Sequence, residues 1–568
     1  MKGRPLTRRS IAFLAFVLVT SSLPVSAAGP ASERGTWCGT VPGRARNAVW
    51  THREAAARRG PVALSARDTS YASGQVAVLI DEGDIALSKN ILDLFEKSLT
   101  FTPVPGGYGV ARSAVALSPD PGTPIPFADD DSRALALPFA FPFYGQSYTS
   151  LFVNSDGNLT FAEGDVASTP RRIGRLLGGP PRIAPLLTDL DPSKGGAVSY
   201  RDLGDRFVVT WDNMPEFEGT GKDTFQALLY PSGRIDFVYA RQLNGNLEEG
   251  VVGIAPGHEQ GDFLPVHFSA AAGQISGGAI AESFRLDDTI DTLAAARKYY
   301  RSFPDEVQQL VVFTSKSLVG GDTFAYENTV KNDASGIGDG LYDDSAEYGS
   351  AGHLESFVMM DTINQYPEDP HLRFLGEDSS LSLLAHEVGH RWLAYARFKD
   401  GAAISDAILG RQLAHWSFFM NSSGSHLEGN EIQDLGGGQF KTIAASVRYG
   451  PLDQYLMGLR AADEVPGFFL VTNVPSSFGT RERKPEVGIT FTGTRRDLGV
   501  ADVIAALGPR TPPAGRAPTS IRQSFVFVSV GRDPTPDELE KVERLRSLFP
   551  AFYAASTDGR GEADPRIN

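Results

Sequence analysis

Residues 386–390 read His-Glu-Val-Gly-His, inside the run Leu381-Ser-Leu-Leu-Ala-His-Glu-Val-Gly-His-Arg-Trp-Leu393, and this run constrains the fold more than any other stretch. On a helix, residues four apart stack on one face, so His386 and His390 can aim ring nitrogens at a single point. Glu387 stands one residue round the helix from His386. Leu381, Leu384, Ala385, Val388, Trp392 and Leu393 supply apolar faces and no proline interrupts them. A buried helix is expected, opening at Asp378-Ser379-Ser380 with N-capping chemistry. With nine histidines in 568 residues, this spacing arises by chance in about one such chain in a hundred. Two unrelated surface histidines are therefore the poorer explanation.

The N-terminus reads as an export signal. Lys2, Arg4, Arg8 and Arg9 are basic, Ile11–Val19 is apolar, and Val25-Ser26-Ala27 is a small-x-small cleavage pattern. Residues 1–27 are expected to be a signal peptide, and the mature chain to be secreted, extracellular or periplasmic. No later run of eighteen apolar residues follows, so no membrane span is expected in the mature chain. A formal net charge of −15 repels nucleic acid, and no basic stripe argues otherwise. Cys38 is the one cysteine, which rules out an intramolecular disulfide.

Such a length implies several domains. Residues 28–74, rich in Ala, Gly and Arg, read as a linker or pro-segment. Across 75–285 short strand-like runs alternate with turn signals such as Asp156-Gly157-Asn158 and Pro231-Ser-Gly233. The runs Phe207–Trp211, Phe225–Tyr230 and Ile235–Tyr239 form a meander, so an antiparallel β-sandwich is expected. From 286 to 475 the order is a helical period around Ile290–Tyr300, strands at Leu310–Thr314 and Ser356–Met360, and then the motif helix. The stretch 476–568 reads as a small mixed α/β region. Its strand is Ser524–Val530, and its helix opens with Thr535 as N-cap and Pro536 at the first turn.

Two resemblances follow from these residues. The runs Phe139-Ala-Phe-Pro-Phe-Tyr144, Val153-Asn-Ser-Asp-Gly-Asn-Leu-Thr-Phe161, Arg182-Ile-Ala-Pro185, Asp189-Leu-Asp-Pro192 and Thr224–Tyr230 resemble the nidogen-like extracellular β-domain over roughly 130–255. That resemblance implies a binding or positioning module. His386-Glu-x-x-His390, together with the element order, resembles the zincin superfamily of zinc metallopeptidases and implies an α+β zincin-like catalytic domain at 286–475. By the same resemblance His353–Asp361 would be the sheet edge that pairs with a substrate backbone.

The resemblance implies zinc held by His386 and His390, with Glu387 as general base on a zinc-activated water. A third ligand is required, and its identity stays open. The spacing after His390 fits no third histidine of the metzincin kind. Among His353, His371, His415 and His426, His415 has the most apolar flanks and is the leading choice, with Asp453, Glu428 and Glu431 as alternatives. Tyr455 and Met457 would lie near the site, or simply pack. Asp333, Asp339, Asp343, Asp344 and Glu347 offer oxygen ligands for calcium, a solvated acidic loop being the plainer reading. Cys38 could fill the open zinc position and hold an enzyme latent, as in matrix-type metallopeptidases, whose flanking consensus is absent here. A tolerated buried thiol or intermolecular pairing is the plainer reading. The expected function is a secreted zinc-dependent endopeptidase acting on protein or peptide substrates. The alternative is an extracellular binding or adhesion protein with an inactive zincin domain.

Overall fold

Val76–Ile80, Leu310–Phe313, Phe357–Met360 and Phe525–Val528 are continuous apolar runs, the pattern of strands buried on both faces. In the computed structural model these runs form the core of one seven-stranded sheet. The structure describes residues 38–40, 44–59, 70–120, 122–167, 170–217, 219–261, 263–321 and 323–567. The expected signal peptide and part of the expected pro-segment lie outside these residues.

The strand order is Tyr71–Ser73, Val76–Asp81, Ser520–Val530, Gln309–Thr314, Ser356–Thr362, Tyr326–Thr329, and the seventh strand, Glu562–Asp564, pairs in parallel with the start of Ser520–Val530. The four inner strands are parallel and the two outer ones antiparallel to their neighbours. Because side chains alternate across a strand, each run divides between two cores. Val76, Val311, Phe313, Val358, Met360, Phe525 and Phe527 face the motif helix Ser380–Gly389 and the last helix Pro536–Ser556. Ala77, Leu79, Leu310, Val312, Phe357, Met359, Val526 and Val528 face the helix Thr292–Ser302 through Leu293 and Tyr299.

Two placements differ from the linear reading. Val76–Asp81, expected at the start of the sandwich, pairs in parallel with Ser520–Val530. That strand, expected in a separate terminal region, lies in the middle of the same sheet. An unbroken apolar run cannot have one face in water, so both strands are drawn into the doubly covered sheet. The last helix does start as expected, with Thr535 accepting from Glu538 N and Pro536 in the first turn.

The sandwich strands run from Ser98 to Arg285 in a seven-stranded and an eight-stranded sheet. The meander appears as adjacent antiparallel strands Phe207–Pro215, Lys222–Leu229 and Ile235–Tyr239. Phe101, Phe141, Phe161, Trp211, Phe225 and Phe237 fill the space between the sheets. The helix Arg44–Arg59 lies against this domain, with Trp50 packed edge-on to Phe263 at 6.1 Å between ring centres.

The outer strand of the mixed sheet nearest the motif helix is Tyr326–Thr329. The expected edge, His353–Asp361, is corrected: Ser356–Thr362 is flanked on both sides, by Gln309–Thr314 and Tyr326–Thr329. Its apolar run, buried throughout, suits an inner position. Tyr-Glu-Asn-Thr at 326–329, with its polar alternation, suits an edge.

Candidate metal centre

Ser379 caps the motif helix by accepting from Ser382 N, while the Ser382 hydroxyl reciprocally accepts from Ser379 N. All ten helical residues are buried. The helix stops after Gly389, where a side chain has no room: an added Cβ would stand 2.9 Å from Tyr449 and 3.0 Å from Leu427. Tyr449 is itself pinned, its hydroxyl donating to the Ala385 carbonyl at 2.5 Å.

His386, His390 and His415 meet beside this helix with Cys38. Their four donor atoms lie within 4.8 Å of one another, and all four residues are buried. Among the described residues this is the group of histidine, cysteine and carboxylate side chains whose spacing one metal ion could bridge. Each imidazole is oriented the same way. Nδ1 of His386 faces the His426 carbonyl at 2.7 Å, that of His390 the Leu393 carbonyl at 3.0 Å, and that of His415 the Arg411 carbonyl at 2.8 Å. A carbonyl only accepts, so each Nδ1 carries the proton and each Nε2 presents a lone pair. The Nε2 atoms of His386 and His390 are 3.0 Å apart, and that of His415 has no hydrogen-bond partner among the described residues. Lone pairs converging in a dry interior repel unless a cation lies between them, which is the arrangement of a metal site with its outer hydrogen bonds in place.

Burial lowers the pKa of His386 to about 4 and that of His415 to about 3, so both are neutral, as a ligand must be. Burial also pushes the Glu387 carboxyl up, to about 8. Its Oε2 accepts from the Cys38 thiol at 3.4 Å and the Thr40 hydroxyl at 3.2 Å, while Oε1 has no partner among the described residues. Cys38 Sγ lies 3.4 Å from His390 Nε2. The thiol that the linear reading gave a plainer role therefore stands in the cluster.

Among the other expected ligands, Glu428 is held by Arg411 through both carboxylate oxygens, with Nε at 3.2 Å, and its Oε1 is 3.8 Å from His415 Nε2. Against the upward push of burial, the Arg411 guanidinium keeps Glu428 well below the usual carboxylate range. Asp453 accepts from the Trp416 indole at 2.8 Å and from Gly450 N at 2.7 Å, so it caps the helix Pro451–Met457. Glu431 lies half-buried on the strand Asn430–Gly436, outside the cluster. His353 and His371 are exposed. The Tyr455 hydroxyl accepts from Arg510 N at 3.0 Å, and Met457 is buried in the core, so both have packing partners there. The acidic loop does not converge: Asp333 pairs with Arg391, Asp339 with Tyr342, Asp343 with Ser345 and Lys331, and Glu347 with Arg297.

Sequence reasoning missed Thr40, Arg411 and Gln412. No motif marks them, and the contact between Arg411 and Cys38 spans 373 residues of chain.

A family model described as NIDO related matches residues 100–301. No solved structure matches the chain. The match overlaps the two-sheet sandwich and is wider than the stretch whose sequence texture carried the resemblance. The chain therefore carries a nidogen-like domain, followed in sequence by the motif helix that contributes His386 and His390 to the cluster.

Proposed function

We propose that this protein is a secreted zinc-dependent endopeptidase of zincin type, with His386, His390 and His415 as zinc ligands and Glu387 as general base. The observation that carries the reading is a buried carboxylate, Glu387, joined by a hydrogen bond to Cys38, the fourth member of a group with three converging imidazoles. A closed structural site has no use for such a group. The donor set suits zinc: tetrahedral bonds of about 2.0–2.1 Å to nitrogen and 2.3 Å to sulfur separate the donors by about 3.3–3.6 Å. Two of the pairs here, His386–His390 and Cys38–His390, stand 3.0 Å and 3.4 Å apart, and all four donors lie within 4.8 Å. The parallel sheet with an antiparallel edge beside the motif helix also agrees with a zincin-like domain.

Zinc, when bound, supplies Lewis acidity that lowers the pKa of a water and polarises a carbonyl. Glu387 takes a proton from the attacking water as its oxygen bonds to the peptide carbon. The same carboxyl then gives that proton to the departing amide nitrogen as the C–N bond breaks. The buried surroundings of Glu387 keep competing water from the proton it carries. Tyr326–Thr329 ends the sheet on this side, where an extended peptide could lie along the strand.

Casein hydrolysis and zinc content of Glu387→Gln test the reading together. Loss of at least about a thousandfold in turnover with zinc retained is expected, because the residue is base and not ligand. Substantial residual turnover removes Glu387 from the mechanism. One observation favours a second reading, a closed structural zinc in a binding or adhesion protein: Cys38 supplies a fourth donor beside the three histidines. No hydrolysis by any form of the protein, with zinc bound, would select it.

A further inference from the structure

Four donors close a zinc site, whereas catalysis needs one position open. The three histidines come from the motif helix and from the buried segment at 415, both within the core. The fourth donor comes from Cys38–Thr40, a short segment laid along the sheet edge. Cys38 forms a parallel bridge with Ala325, and Gly39 N donates to the Ala325 carbonyl at 2.9 Å. Glu327 N donates to the Thr40 hydroxyl at 2.7 Å. From the opposite side Arg411 Nη1 donates to the Cys38 carbonyl at 3.1 Å. The Gln412 amide, oriented to satisfy its neighbours, donates to the carbonyls of Cys38 at 3.3 Å and Thr40 at 3.0 Å. The segment is thus held by its backbone between a strand edge and two side-chain donors, as an extended peptide would be.

We infer that residues 38–40 are a built-in inhibitory strand, with Cys38 filling the metal position and its backbone filling the substrate groove, clamped by Arg411 and Gln412. This rests on the peptidase reading. The strand also engages the base: the Thr40 hydroxyl donates to Glu387 Oε2, and the proton that the Cys38 thiol loses on binding the metal passes to that same oxygen, 3.4 Å away. It is not itself cut, because the Cys38 carbonyl is turned to Arg411 and Gln412 and is not presented to Glu387. Its anchorage is the nidogen-like domain. The helix Arg44–Arg59 is tied there by Trp50 on Phe263 and by Glu54 on Ser283 N at 3.1 Å, and it also reaches the cap of the helix Thr292–Ser302 through His52 on Asp291 at 2.9 Å. Activation then means departure of this segment, and Arg411 and Gln412 become the donors that grip substrate carbonyls.

The test uses the full mature chain loaded with cobalt in place of zinc, comparing wild type with Cys38→Ala and Cys38→Ser. Two readouts are independent of activity: the thiolate-to-cobalt charge-transfer band, and the spectral change on adding acetohydroxamate, which needs an open metal position. The wild type should show the band and resist the hydroxamate. Both variants should lack the band and bind hydroxamate at least tenfold more tightly. With zinc restored, the uncleaved variants should hydrolyse casein at least tenfold faster than uncleaved wild type. A wild type without the band, or with hydroxamate affinity equal to that of the variants, overturns the inference. Hydroxamate gating without casein hydrolysis in any form keeps the inhibitory strand and refutes the peptidase reading instead.

Discussion

His415→Ala is the substitution that most directly tests the site. The imidazole is fully buried, its Nδ1 proton is fixed on the Arg411 carbonyl, and its Nε2 has no hydrogen-bond partner among the described residues. It therefore arrives at the metal already oriented, so little freedom is lost on ligation. Four-ligand zinc sites bind with about 10–16 kcal/mol, or roughly 2.5–4 kcal/mol per ligand, which is about a hundredfold to a thousandfold in affinity. The space left by the ring admits a water that replaces part of the bond, so the lower end is expected, about a hundredfold. Asp453→Asn is the contrast. Its carboxylate serves Trp416 and Gly450, not the metal, so zinc affinity should stay within about threefold while stability falls by about 1–3 kcal/mol. Competition against a chromophoric chelator gives the affinities, and circular dichroism controls for folding. Wild-type zinc affinity in a folded His415→Ala protein would refute the ligand assignment and the argument from convergent lone pairs with it.

Gly389→Ala should destabilise the protein even though alanine favours helix by about 1 kcal/mol, because the new methyl meets Tyr449 at 2.9 Å and Leu427 at 3.0 Å. Overpacking of about 1–3 kcal/mol should outweigh that gain and lower the thermal midpoint, and an unchanged or raised midpoint contradicts it. Burial, then the nearby Glu216, raises the Asp223 carboxyl from 3.8 to about 7. The folded state therefore holds a proton that the unfolded chain has lost between about pH 4 and 7, so this contribution to stability is full below pH 4 and declines as pH rises to 7. Asp223→Asn should remove that slope and shift the urea midpoint upward at pH 8 but not at pH 4, with a ceiling of about 4 kcal/mol; equal shifts at both pH values would discard the assignment.

The sequence by itself determined what short-range geometry can carry. The four-residue spacing of His386 and His390, the serine cap at 379, and the Thr535-Pro536 helix start all depend on neighbours within one or two turns. The meander at 207–239 was equally legible, because its alternation and its Pro-Ser-Gly turn specify pairing between adjacent strands. What tertiary structure decided is whatever needs a partner far along the chain. Val76–Asp81 finds its neighbour at Ser520–Val530, and nothing local in either run names the other. The inner position of Ser356–Thr362 depends on Tyr326–Thr329 folding back beside it. The same holds at the metal cluster: His415 was one choice among several until its Nδ1 met the Arg411 carbonyl, which sets where Nε2 points. Cys38 lies 349 residues from Glu387, and a lone thiol carries no periodicity or spacing that could announce such a contact. Local propensity fixes which atoms a residue offers, but only the packed chain brings their lone pairs to one point.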